Sequence, residues 1–216
     1  AGAQAAGILQ WAFGSGAQGM TPVGRVGGVY FEHRVSWYER AARPNVTLGH
    51  PAASPPTALA ALGQMQTADA IERCFGCHAT GVSPGPDLST MRPGVSCERC
   101  HGPGAPHAAK PAKTNIQNPG KLEASRQVAF CGECHRLPVR PSAMPEIDDP
   151  LSVRFAPVGL MASRCYQKSG RLTCLTCHDP HANAETSPAY YAAKCAECHS
   201  PKAAGNCPRS AGCLTC

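Results

Sequence analysis

Aromatic residues are scarce, 6% of 216, and no stretch approaches the ~20 consecutive apolar residues that a membrane-spanning helix needs. The first shortage excludes a large core of stacked rings, and the second leaves the chain without a transmembrane segment. Ala1 to Gln10 has neither a basic start nor an apolar run long enough for a signal peptide. The expectation is therefore that a secretory segment has been removed or lies upstream. Long regular elements are discouraged too, because 22 glycines and 21 prolines punctuate the chain. A fold with so little to bury needs its apolar mass from elsewhere.

Cysteine is what the chain has in quantity, 14 residues, and its arrangement is regular. Five Cys-x-x-Cys pairs are followed at once by histidine: Cys74 and Cys77 with His78, Cys97 and Cys100 with His101, Cys131 and Cys134 with His135, Cys174 and Cys177 with His178, and Cys195 and Cys198 with His199. That string is the attachment site of a c-type haem. Its two thiols add across the porphyrin vinyl groups, and the histidine is held close enough to ligate the iron from one side. Paired Cys-x-x-Cys motifs also make zinc ribbons, but a ribbon needs no histidine in that position. With 9 histidines in 216 residues, five successes in five would arise by chance about one time in ten million, so the pattern reads as haem attachment. A sixth pair, Cys213 and Cys216, repeats the Cys-Leu-Thr-Cys of residues 174–177 where the chain ends. It reads as a sixth haem site cut short, the alternatives being a terminal disulfide or free thiols.

One haem per roughly 43 residues makes the macrocycles the core, covered by short helices and loops, and the chain without them is expected to be largely disordered. The fold class is mainly α with extensive irregular structure, a multihaem cytochrome c fold with a small β-hairpin near the N-terminus. The hairpin is placed at Val26 to Tyr38, around Gly27-Gly28. The division falls at residue 66: a segment 1–66 without haem motifs that supplies distal ligands, then a multihaem domain 67–216. Helices are expected at Thr57 to Arg73, feeding the first motif, and at Lys121 to Cys134, feeding the third. Ser187-Pro188 should launch a helix from Tyr190 to Cys198. The motif starts are 23, 34, 43, 21 and 18 residues apart, too irregular for a solenoid of identical repeats.

The net charge of +6 does not argue for nucleic acid, because each ferric haem c brings roughly −1 and cancels most of it. Arg73, Arg99 and Arg126 are expected to solvate or pair with propionates. Thioether attachment takes place outside the cytoplasmic membrane, which places the chain in the bacterial or archaeal periplasm or beyond. Cys165 and Cys207 stand outside the motifs and are expected as disulfide partners; two buried thiols, or a metal site, are the competing readings.

Five of the nine histidines are proximal ligands, leaving His33, His50, His107 and His181. An electron-transfer haem uses a second strong axial ligand, so these four are expected to be distal ligands. His107 and His181 lie too close in sequence to their own motifs to reach around the same haem, and are assigned to neighbouring ones.

Cys97-Glu-Arg-Cys-His-Gly-Pro-Gly-Ala-Pro-His107, Asn118-Pro-Gly-Lys-Leu122, Cys174-Leu-Thr-Cys-His-Asp-Pro-His181 and Phe31-Glu-His-Arg-Val-Ser-Trp-Tyr38 resemble multihaem cytochromes c of the hydroxylamine-oxidoreductase and pentahaem nitrite-reductase superfamily. Among these they are most similar to cytochromes of bacterial tetratricopeptide-repeat proteins. The resemblance covers about residues 12–216. It implies stacked pairs of bis-histidine haems forming an electron wire, with further haem sites before Ala1 and after Cys216.

The expected function is electron transfer between redox proteins, further haem segments or identical subunits. One alternative is a redox enzyme acting on a small nitrogen or sulfur compound at one open iron; another is a subunit of a polymeric cytochrome filament. No Cys-x-x-Cys-Lys motif occurs, which argues against the enzyme, since the resemblance would put that lysine at the catalytic haem of a pentahaem nitrite reductase. Four spare histidines cannot complete five or six haems, which argues for it. Met65, Met91, Met161, a histidine beyond this sequence or one from a neighbouring subunit could close that deficit.

Overall fold

The computed structural model describes residues 4–82, 88–137 and 155–199. All five complete motifs fall within them. Cys207, Cys213 and Cys216, and with them the expected disulfide and sixth site, lie outside.

The N-terminal third is a sheet. Strands β1 (Ile8–Phe13), β2 (Gly19–Val26), β3 (Val29–His33), β4 (Val35–Tyr38), β5 (Arg43–Val46) and β6 (Gly63–Met65) form it, all pairs antiparallel. The hairpin expected at Gly27-Gly28 is there: Val26 pairs with Val29, and both glycines take the left-handed φ that a two-residue loop demands, +53° and +84°. β2 is the central strand. Its end pairs with β3, its first two residues pair with β4, and β1 covers its other edge. The element is thus six-stranded rather than a small hairpin. Buried hydroxyls tie its layers together, Ser36 bonding Thr21 and Thr47 at 2.7 Å each while Thr47 donates to the His33 carbonyl at 2.7 Å.

The continuous helix expected over Thr57 to Arg73 is two helices, α1 (Ala58–Leu62) and α2 (Ala68–His78), with β6 between them. Gly63 sits at φ +148°, where an added Cβ would collide with the Glu32 carbonyl. Chain pairing with β3 overrides the Ala/Leu helix propensity here. Thr67 caps α2 by accepting from the Ala70 amide.

The core joins sheet to α2. Val23 packs with Ile71, Phe75 and Ala79, and Trp11, Phe13 and Tyr30 close around them. The Trp11 and Phe13 rings each meet Phe75 edge-on at 5.1 Å, a preferred aromatic geometry. The 66/67 division therefore marks where strands give way to helices, while the apolar core crosses it.

Short helices follow, separated by turns: α3 (Cys97–His101), α4 (Ala105–Ala109), α5 (Ala124–His135), α6 (Ala156–Ala162), α7 (Arg164–Ser169), α8 (Cys174–Cys177) and α9 (Pro188–Ala196). A two-residue ladder, β7 (Ala79–Thr80) with β8 (Arg92–Pro93), ties the end of α2 to the approach of α3. α5 and α9 fall where the sequence placed them, α9 with Ser187 accepting from the Tyr190 amide and Pro188 in the first turn. Among the described residues no helix is long and apolar enough to cross a membrane.

Candidate haem centres

Each Cys-x-x-Cys-His string lies at the end of a short helix or forms one. The first and third close α2 and α5, the second is α3 itself, the fourth is α8 with His178 just past it, and the fifth runs off the end of α9. A helical turn brings the two thiols and the histidine onto neighbouring positions. The turn after it must then lead the chain away, as at Gly102, whose φ of +70° ends α3.

The first histidine is set by the sheet. His78 lies parallel to the Phe13 ring, centroids 4.9 Å apart and planes 7° off. In the second motif the His101 Nδ1 lies 2.7 Å from the Gln117 carbonyl. The Nδ1–H that this contact demands leaves Nε2 as the metal-binding nitrogen, the arrangement that fixes tautomer and ring orientation in metal-ligating histidines.

Two of the four remaining histidines are held in the same way. His107 presents Nδ1 to Asn115 Oδ1 at 3.0 Å and to the Ala112 carbonyl at 3.1 Å. His181 presents Nδ1 to Asp179 Oδ1 at 3.2 Å. His33 differs, its Nδ1 accepting from the Val35 amide at 3.1 Å while the Val35 carbonyl lies 2.9 Å away. His50 is reversed. Its side chain is 4% exposed and its Nε2 lies 3.1 Å from Glu32 Oε2, so Nδ1 is the nitrogen left for a metal. The imidazoles of His101 and His181 come together with planes 8° apart and centroids 6.1 Å apart. A metal–imidazole bond is about 2 Å, so two rings on opposite sides of one metal have centroids about 6 Å apart, and this pair has that spacing.

The thiols converge as well. Cys77 hydrogen-bonds Cys134, Cys100 lies close enough to Cys134 and Cys131 to couple with both, and Cys131 hydrogen-bonds Cys174. The third motif thus lies between the first, second and fourth. The fifth joins at the fourth, where Tyr191 of α9 meets the His178 ring edge-on at 5.8 Å. Burial raises the thiols of Cys100, Cys134 and Cys177 above the ordinary range. Burial first, and then the neighbouring Cys174, pushes Cys131 up to about 12. Cys165 is exposed on α7, close enough to Cys177 to affect its charge.

Among the described residues no three His, Cys, Asp or Glu side chains converge on one point as a metal held by protein alone would need. The His101 and His181 imidazoles face each other, and the thiols stand in Cys-x-x-Cys pairs each followed by histidine. A macrocycle that brings four nitrogens of its own can take that donor set.

Residues 36–102, from β4 to the end of the second motif, match the family model of cytochrome c554 and c-prime. The match spans about a third of the chain and takes in the first two Cys-x-x-Cys-His strings. No curated protein matches this chain. A solved structure described as the outer cell wall cytochrome OcwA is similar at 23% identity and a TM-score of 0.38, over 59% of this chain and 26% of that one. The Cys-x-x-Cys-His strings and the four further histidines were read from the sequence alone. The sequence did not show the sheet's aromatic contribution to the first site, since Phe13 and His78 meet only through long-range pairing, or the bridging position of Arg99, described below.

Proposed function

We propose that this chain is an extracytoplasmic electron carrier that holds five c-type haems, and a sixth at Cys213/Cys216, close enough for electrons to pass between them. The observation that carries the reading is the convergence of thiols, with sulfurs of four successive motifs touching or electrostatically coupled about α5. Attachment points that close force neighbouring macrocycles close. Bound haem c supplies a one-electron Fe(III)/Fe(II) couple whose potential the protein sets through axial ligand, burial, charge and hydrogen bonds. The chain's own contribution is to fix those terms. His78, His101, His135, His178 and His199 ligate from the proximal side; His33, His50, His107 and His181 ligate from the distal side, His181 at the site of Cys97 and Cys100, where its ring already lies parallel to His101. Thioether attachment places maturation outside the cytoplasmic membrane. Redox partners are other cytochromes, further haem segments of a longer chain, or copies of this one; a subunit of a cytochrome filament is the version of this reading in which a neighbour supplies a missing ligand.

Four spare histidines against five complete motifs favour, as a second reading, an enzyme with one open iron. Electron paramagnetic resonance of the oxidised protein, with haem counted by the pyridine haemochrome method, separates the two. Low-spin signals alone, with five or six haems per chain, are the expected result. A high-spin component that shifts on adding nitrite or hydroxylamine would establish the enzyme instead.

A further inference from the structure

Arg99 is one of the two intervening residues of the second motif, a position that haem attachment leaves free to vary. Its side chain is 31% exposed and does not point to solvent. One terminal nitrogen donates to the Gly76 carbonyl at 3.1 Å, inside the first motif, and lies 3.7 Å from the Cys134 sulfur of the third. Glu133 lies 3.9 Å away and is 57% exposed, a distant and well-solvated counter-charge. A single guanidinium thus occupies the junction of three attachment motifs. It brings a positive charge to that junction.

We infer that Arg99 is a positioning and potential-setting residue, which locks the first and third motifs against the second and raises the reduction potentials of the haems attached at the three motifs that meet there, Cys74/Cys77, Cys97/Cys100 and Cys131/Cys134. The inference rests on the reading of those motifs as haem sites. Reduction adds one electron, so a cation beside the attachment point stabilises the reduced state, and the effect falls with distance. A hydrogen bond from a cation to the haem-linked sulfur acts in the same direction. The half-buried position limits screening by salt.

The test is a spectroelectrochemical titration of the holoprotein and of R99Q, R99K and E133Q, with haem content and low-spin spectrum recorded for each. With wild-type haem content, R99Q should shift the midpoints of the first three haems downward and leave those of the fourth and fifth in place. R99K keeps the charge and should retain most of the wild-type values, while E133Q should raise the same midpoints by a smaller amount. Unchanged midpoints in R99Q, or an equal drop in R99K and R99Q, would overturn the inference. If R99Q fails to mature, E133Q decides alone, and unmoved midpoints there overturn it. A wild-type protein without the expected haem content would instead overturn the haem reading itself, so the two failures are distinguishable.

Discussion

At the scale of single residues, the side chains that hold each imidazole differ from site to site, and the differences are testable. His181 is anchored only by Asp179 and is largely exposed, yet it lies parallel to His101. Replacing it with alanine should convert one haem from low-spin to high-spin, read by electron paramagnetic resonance. An unchanged low-spin spectrum would remove His181 as a ligand. Glu98 makes a different kind of prediction. Its carboxylate accepts from the Gly104 amide at 2.8 Å and pairs with Arg92, and these contacts, the amide first, hold it below the ordinary carboxylate range. A depressed pKa stabilises the fold at pH values above the group's unfolded pKa, and that contribution is lost as pH falls through the folded value. The Gly104 amide should therefore lose hydrogen-exchange protection in the acid range below the ordinary carboxylate pKa, and E98Q should lack that acid-dependent step. Protection factors that fall equally in both proteins would show that Glu98 is not the group responsible.

Among the elements, the sheet and α2 behave as one unit because Phe75 is locked between Trp11 and Phe13. Phe75 is 1% exposed, and truncating a buried phenylalanine costs about 3–5 kcal/mol through lost burial and the cavity left behind. F75A should lower the guanidinium midpoint of the transition reported by Trp11 fluorescence, whereas L175A, at an exposed position, should leave it near the wild-type value. An unmoved midpoint for F75A would mean that sheet and α2 are not energetically coupled. The same elements show what the sequence could and could not reveal. The β2–β3 hairpin was legible because Gly27-Gly28 is a local signal flanked by β-favouring residues. β6 was not, since Gly63, Gln64 and Met65 continue an Ala/Leu-rich run and become a strand only by pairing with Phe31 to His33, some thirty residues earlier in the chain. β5 was equally hidden, its Arg-Pro-Asn-Val showing no apolar alternation because every residue but Val46 is exposed. Haem motifs are local strings and were all readable. Their mutual arrangement about α5 was not, because no feature of a Cys-x-x-Cys-His string records which other string it will touch. Arg99 shows the same limit: its sequence position suggested a propionate partner, and only the fold reveals the Gly76 carbonyl and Cys134 sulfur beside it.

For the whole molecule, the distribution of buried side chains decides which elements need an apolar cover from outside the chain. Val23, Phe31, Ile71 and Phe75 are buried in the sheet and α2, Ala79 in β7 just after α2, and Val128 in α5, but α7, α8 and α9 bury no residue. Helices of six, four and nine residues are too short to persist alone in water. They can be stable only if something apolar covers them, and on the proposed reading the macrocycles attached at α8 and α9 are the available source. The two halves should therefore respond differently when attachment is prevented. A chain made without the cytochrome c maturation apparatus should keep slow amide exchange at Val23 to Val26 and Val29 to Phe31, where backbone pairing and aromatic packing are self-sufficient. Amides of residues 174–177 and 188–196 should exchange at coil rates, and attachment of haem should restore their protection. Equal protection of both regions in the haem-free chain would show that the second half carries a core of its own. Loss of both would show that the sheet depends on the first haem, which Phe13 contacts through His78, as strongly as the later helices depend on theirs.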